Sequence, residues 1–413
     1  MLSKSASCAM NQHDRRLGRH ISDPVRAQNR KAIVDCLRRH QAAARIEIAK
    51  HVGISPATVT VITSELIEDG VIREEIATAD RNGSSRGRPR TRLELNPEAG
   101  FAVGIKISMH QASISLTNLS GEILGAKIVP MRANRDAPER IAEICMTQIR
   151  EVIDDAGIDP ELVLGVGIGV PGYVEYPSGM VRWAPVFSRP DVPFREIVEQ
   201  KAGFRTFIDN DANMTALAEK WFGVGRQFPT FLVVTVEHGI GMGLVVDEKL
   251  YRGARGFGAE FGHTKIVVGG ALCRCGQRGC IEAYASDYAI AREANVLGST
   301  TDIDDPFALQ DRMEHLIKLS DEGSPAVTSI FKRAGTMLGT GIANLVDVLD
   351  PPVVVLSGAR SRSAKAFFTA LTDAMESNTL LGAQTKVDLR VNSGGDEVWA
   401  HGAAALVLEE TLI

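Results

Sequence analysis

The chain has only six cysteines in 413 residues, and its net charge is a modest −5. It contains no apolar run near the roughly 20 residues that a membrane helix needs, which excludes a spanning helix as an organising feature. The first twenty residues carry charges and histidines but no apolar core, so neither anchor nor export signal is expected there. Residues 1–22 are read as a flexible tail. Without a secretory signal the cysteines are expected to be reduced, in a cytoplasmic protein. The length exceeds one ordinary core and implies two or three domains.

The low net charge hides an asymmetry. Residues 1–92 hold 17 Lys and Arg against 10 Asp and Glu, and the remainder holds 29 against 41. A basic first quarter on an acidic body suggests a segment that meets a polyanion. Its pattern supports this. Ile33, Val34 and Leu37 make a helical stripe, and Ile46, Ile48, Ala49 and Val52 a second short helix stopped by Gly53. Ser55-Pro56 is an N-cap followed by proline at the first helical position, and Val59, Ile62 and Leu66 continue that third helix to Gly70. Residues 71–74 and 91–95 read as two strands of a wing. Residues 23–97 are therefore expected to be a winged helix-turn-helix and its junction.

The third helix has no Arg or Lys. Its free positions, Ala57, Thr58, Thr60, Val61 and Ser64 after the Ser55 cap, offer only hydroxyls and methyls to a major groove. Arg86, Arg88 and Arg90 alternate with Gly and Pro in the wing loop, an extended segment suited to a narrow minor groove.

Half of the cysteines, Cys273, Cys275 and Cys280, fall within eight residues, with His263 ten positions upstream of the first. Three thiolates and an imidazole are the ligand set of a closed, structural zinc site; the alternative is three small buried residues. Glu260 and Glu282 bracket the set. Carboxylates fixed beside an imidazole suit a polyol, whose hydroxyls need acceptors at set geometry. The rest of 98–413 alternates strands with helices and has Gly-rich strand ends, which implies a two-lobed α/β fold with ligands at the C-terminal ends of the strands. Trp183, Val186 and Phe187 are candidates for shaping its pocket.

Asn210-Asp211 at a strand-to-helix turn, Gly256-x-Gly-x-Glu-x-Gly-His263 and Cys273-x-Cys-Gly-x-x-Gly-Cys-x-Glu282 resemble the ROK family of sugar kinases and repressors. The Gly87-Arg-Pro-x-x-x-Leu-x-Leu-Asn-Pro97 junction is similar to that of its repressor branch, which includes xylose and N-acetylglucosamine regulators. The resemblance spans residue 25 or so to the end. It implies an actin-like, sugar-kinase-like ATPase-type fold with a structural zinc loop, the Zn²⁺ held by His263, Cys273, Cys275 and Cys280. It also implies a hexose-like ligand bound by Asn210, Asp211, Glu260, His263 and Glu282. In the family's kinases the residue matching Asp211 is the general base.

The phosphate side departs from the kinase pattern. Where those kinases read Asp-x-Gly-Gly-Thr, this chain has Lys106-Ile-Ser-Met-His110, and where a Gly-Thr-Gly loop is expected it has Glu237-His238-Gly239. A carboxylate facing polyphosphate is repulsive in a low-dielectric cleft, and Ser108, Met109 and His110 bring Cβ atoms where glycine admits phosphate. The expectation is a non-enzymatic, sugar-responsive repressor with operator DNA as partner, a homodimer or tetramer, with no membrane role. The alternatives are an ATP-dependent hexose or N-acetylhexosamine kinase, and a repressor governed by a protein partner.

Overall fold

The computed structural model describes residues 23–75, 91–131, 135–298, 301–358, 364–380, 387–392 and 394–412; the tail 1–22 and the wing arginines Arg86, Arg88 and Arg90 lie outside them. The basic segment opens on α1 (Pro24–His40), whose first turn is closed by the Asp23 carboxylate accepting the Val25 amide. β1 (Ala42–Ala44) and α2 (Arg45–Val52) follow, and Gly53 ends α2 in the left-handed conformation at φ 74°. Ser55 caps α3 (Pro56–Glu68), its hydroxyl accepting the Thr58 amide at 3.1 Å. Ile33, Leu37, Ile48, Val59, Ile62 and Leu66 close a common core. β2 (Ile72–Glu74) and β3 (Arg92–Leu95) complete an antiparallel sheet of order β1-β3-β2. The sequence predicts two strands here, and the sheet has three. The extra one is three alanines, which carry no alternation to read and become a strand only by pairing with Arg92–Glu94.

The body holds two five-stranded sheets. The first comprises β4 (Phe101–Ile107), β5 (Gln111–Asn118), β6 (Ile123–Pro130) and β7 (Val163–Val170), then, after the small hairpin β8 (Tyr173–Glu175) and β9 (Met180–Trp183), β10 (Thr206–Asn210); its order is β10-β7-β4-β5-β6. The second comprises β11 (Phe231–Val236), β12 (Ile240–Val246), β13 (Lys249–Leu250), β14 (Val353–Ser357) and β15 (Asp388–Val391), in the order β13-β12-β11-β14-β15. In each sheet three strands form an antiparallel meander and two more add in parallel beside its first strand. The same topology is thus drawn twice, and β4 corresponds to β11.

The helices repeat the scheme. α4 (Pro138–Asp155) and α5 (Phe194–Ala202) pack with the first sheet, and α6 (Asp211–Trp221) follows its last strand. α7 (Glu282–Ala285), α8 (Asp287–Ala294), α9 (Pro306–Asp321), α10 (Pro325–Leu349) and α11 (Lys365–Asn378) accompany the second, and α12 (Glu397–Leu412) follows its last strand. α6 and α12 pack on each other between the sheets. Their approach requires bare backbone: a Cβ on Gly402 of α12 would lie 1.8 Å from the Met214 carbonyl oxygen, and one on Gly104 of β4 1.9 Å from that of Ala400. Among the described residues no helix is long and apolar enough to cross a membrane.

Gly402→Ala forces α6 and α12 apart. It is expected to destabilise the body by about 1–3 kcal/mol, the range for overpacking, read as a lower urea midpoint with an unchanged slope.

Candidate functional site

β10 delivers Asn210 and Asp211 to the cleft between the lobes. Asn210 is the N-cap of α6: its Oδ1 accepts the Ala212 amide at 2.9 Å, and its Nδ2 donates to the Gly172 carbonyl at 2.9 Å. Asp211 is the first residue of α6, placed where the helix dipole favours a negative charge. Just before it, Asp209 is fully buried and receives Arg252 Nε at 2.6 Å and Asn213 Nδ2 at 2.9 Å, tying β10 to the loop that leads into Gly256.

That loop brings in Glu260 and His263. The His263 Nε2 lies 4.0 Å from Glu260 Oε2, and its Nδ1 lies 3.7 Å from Cys273 Sγ. Glu282, at the start of α7, is buried; its Oε2 accepts the Ile240 amide at 3.2 Å, and its Oε1 accepts from Cys273 and from the Tyr288 hydroxyl, both at 3.4 Å. All five sequence-predicted sugar-site residues, Asn210, Asp211, Glu260, His263 and Glu282, line one cleft of about 830 Å³. Trp183, 51% exposed, stands on its wall. Val186 and Phe187 do not: both are buried in the core of the first lobe, where Phe187 packs on Phe194 at 4.8 Å between centroids, so their expected part in shaping the pocket is corrected.

The ligand atoms of His263, Cys273, Cys275 and Cys280 all lie within 4.8 Å of one another, a group that could hold a metal ion. Cys275 and Cys280 are 3.8 Å apart, sulfur to sulfur. A tetrahedron with metal–sulfur bonds of about 2.3 Å has edges of about 3.8 Å, so this spacing fits a shared tetrahedral ion.

The phosphate side of the cleft contains an ion cluster that the sequence indicates only as missing motifs. Lys106, 2% exposed near the end of β4, reaches Glu237 at 3.0 Å and Asp396 at 3.2 Å, and its ammonium lies 3.9 Å from the centroid of the Trp399 ring. Gln111 Nε2 donates to the other Asp396 oxygen at 2.7 Å. Burial opposes the ammonium's charge, but Glu237 and Asp396 overcome it and hold Lys106 protonated. Asp211 feels the same cluster. Burial pushes its carboxyl up to about 6, Lys106 draws it down and Glu237 raises it. Burial also raises Glu260. Asp396 is not among the sequence-predicted site residues. Its signal is an acidic residue after Gly394-Gly395 at the mouth of the last helix, the counterpart in the second lobe of Asp211 in the first.

On the head, Ala57, Thr60, Val61 and Ser64 are exposed along α3, Ser55 is exposed at its cap, and Thr58 is partly covered. Thr60 and Ser64 hydroxyls donate to carbonyls one turn back, Pro56 and Thr60, which leaves their lone pairs to accept. The head touches the body at the far end of α6. Arg38 of α1 donates to the Lys220 carbonyl and lies 5.1 Å from the centroid of the Trp221 ring, while Lys220 and Trp221 both bond Glu409 of α12, at 2.8 and 3.0 Å. Arg39 pairs with Glu248.

Comparison with known proteins agrees with this architecture. Residues 102–410 match the ROK family and residues 26–73 a winged helix-turn-helix DNA-binding family. A putative xylose repressor of Caldicellulosiruptor sp. (strain Rt8B.4) is 32% identical over 393 residues, covering 94% of this chain and 97% of the relative. The crystal structure of a ROK family transcriptional regulator described as a homolog of the E. coli MLC protein superposes with a TM-score of 0.76 at 23% identity, over 94% of this chain and 98% of that one. A ROK hexokinase from Thermus thermophilus matches 74% of this chain and 97% of its own, with a TM-score of 0.63 at 30% identity.

Because the Asp211 carboxyl sits above its unfolded value, its contribution favours the fold below about pH 4 and is lost as pH rises through about 6. Asp211→Asn removes that penalty. It is expected to stabilise the protein by about 1–3 kcal/mol at pH 7.5, with the gain fading between pH 6 and 4, as read by thermal melts across pH.

Proposed function

The chain belongs to the ROK family, and from that premise we propose that it is a sugar-responsive, DNA-binding transcriptional regulator, a repressor, whose kinase-like body senses the sugar without phosphorylating it. The observation that carries this reading is α6. Its first residue is Asp211, in the cleft, and its last two, Lys220 and Trp221, hold Arg38 of the winged-helix head. Residues 212–221 are buried throughout, so the helix is a rod of roughly 16 Å at about 1.5 Å per residue with the ligand at one end and the head at the other.

In the cleft, Asp211, Glu260 and Glu282 accept from sugar hydroxyls, and Asn210 fixes the wall through its bond to Gly172. A sugar drawing on Asp211 shifts α6 along its axis. At the other end the Lys220 carbonyl, one of the helix's unsatisfied terminal acceptors, carries the shift to Arg38. Two such heads on a dimer then change their spacing on a two-fold operator. The exposed face of α3 reads the major groove through Ala57, Thr58, Thr60, Val61 and Ser64, and the wing arginines Arg86, Arg88 and Arg90 reach the minor groove.

Zinc is the metal we assign to His263, Cys273, Cys275 and Cys280: three thiolates and an imidazole at tetrahedral spacing are its usual structural set. When bound it supplies only a fixed loop. His263 turns Nδ1 to the sulfurs, so Nε2 carries the proton and faces Glu260 and the cleft. Loss of phosphoryl transfer is supported by Lys106 standing where a kinase needs a magnesium-supporting carboxylate, and by the Ile240 amide being spent on Glu282.

Two outcomes test this. Operator affinity, measured by fluorescence anisotropy with and without a panel of sugars, is expected to fall about 5–150-fold with one of them, the usual span of allosteric coupling. Arg38→Met keeps an apolar stem but loses the carbonyl bond and the guanidinium beside Trp221; it is expected to cut that effect to about 2-fold or less while sugar still binds. Phosphorylation of any sugar from ATP would overturn the regulator-only reading. Separately, elemental analysis is expected to find zinc stoichiometric with the chain. Cys275→Ser, at an exposed position, is expected to lose the zinc and weaken sugar binding without unfolding the head.

A further inference from the structure

The ion cluster at Lys106 bears on which sugars enter, on the premise that the cleft is a sugar site. We infer that Glu237, backed by Lys106 and Asp396, makes the cleft select uncharged sugars and reject their phosphate esters.

Five carboxylates line the cleft: Asp211, Glu237, Glu260, Glu282 and Asp304. A phosphate ester brings about two negative charges at pH 7 and needs free donors to meet them. The cations nearby are already engaged by carboxylates. Lys106 gives its ammonium to Glu237 and Asp396 and turns a further face to the Trp399 ring, so two carboxylates already outweigh the one cation. Arg274, on the cleft wall, is held by Asp304 and the Ile303 carbonyl and lies 4.3 Å from the centroid of the Tyr288 ring.

Several backbone amides of the two hairpins beside the cleft are also engaged. In the β4–β5 hairpin the Ser108 amide donates to the Gln111 carbonyl at 2.9 Å, and the Gln111 amide donates to the Ser108 hydroxyl at 3.2 Å. In the β11–β12 turn the Glu237 amide donates to the Gly239 carbonyl at 2.9 Å, and the Ile240 amide is on Glu282. His110, stacked 5.5 Å from His238, is kept neutral near pH 7 by burial and by that neighbour, which lower it to about 4. Hydroxyls, by contrast, are donors, and a wall of carboxylate acceptors fits them.

The test is calorimetric titration of the zinc-loaded, full-length protein with xylose, glucose and N-acetylglucosamine, each beside its phosphate ester (xylose 5-phosphate and the two 6-phosphates). At least one free sugar is expected to bind, with its ester at least about 100-fold weaker, as like-charge juxtaposition predicts. Glu237→Gln is expected to narrow that ratio at least about 10-fold by raising the ester's affinity. An ester that binds as tightly as its parent sugar, or a ratio unmoved in folded Glu237→Gln, overturns the inference. If Glu237→Gln fails to fold by circular dichroism, the wild-type ratio alone decides. Silence from all six compounds overturns the sugar-sensor reading itself, and this inference falls with it.

Discussion

One buried ammonium ties the two lobes together at the mouth of the cleft. Lys106 belongs to the first sheet, Glu237 ends the first strand of the second, and Asp396 precedes the helix that follows the second sheet. Removing an ammonium from water costs several kcal/mol unless it is well paired, and removing its partners strands it. Separating the lobes would do that. This pair of contacts therefore adds to the α6–α12 packing in holding the two halves together, and Gln111 orients Asp396 to make one of them. Repetition of the fold explains why the contacts fall here. β4 and β11 are the same strand of the same topology, so their ends face each other. Asp211 and Asp396 occupy matching places before or at the start of matching helices.

Much of the head is legible in the sequence because its signals are local. Ser55-Pro56 caps α3 as the residue types dictate, Gly53 ends α2, and the 3.6-residue stripe from Val59 to Leu66 becomes the buried face. β1 escapes notice because its three alanines have no pattern of their own. The start of α6 is ambiguous for a related reason. Asn210 and Asp211 read as a polar cluster at a strand-to-helix turn, and in the structure Asn210 is the cap and Asp211 the first helical residue. One residue type serves both roles, and sequence cannot separate them.

The site divides along the same line. The cysteines and His263 are close in sequence, and the structure gathers their ligand atoms. The Lys106 cluster joins residues 131 and 290 positions apart, so only the departure from a kinase motif is visible beforehand, not the bridge that replaces it. Val186 and Phe187 look like pocket residues because they follow Trp183, but the chain turns there and buries them.

The two capped ends of α6 bear on how such a molecule can diversify. The helix and its cap contribute Asn210, Asp211, Ala212 and Asn213 to the cleft, while other parts of the wall come from the β8–β9 hairpin with Trp183, the β11–β12 turn, the loop at Glu260 and the segment at Arg274. Substitutions in those outer walls can alter which molecule is recognised without touching the bonds at Lys220, Trp221 and Arg38. Recognition and relay are thus separable inheritances. On the proposed relay, a lineage can drift toward a new ligand through its loops while the contacts from α6 to the head stay as they were.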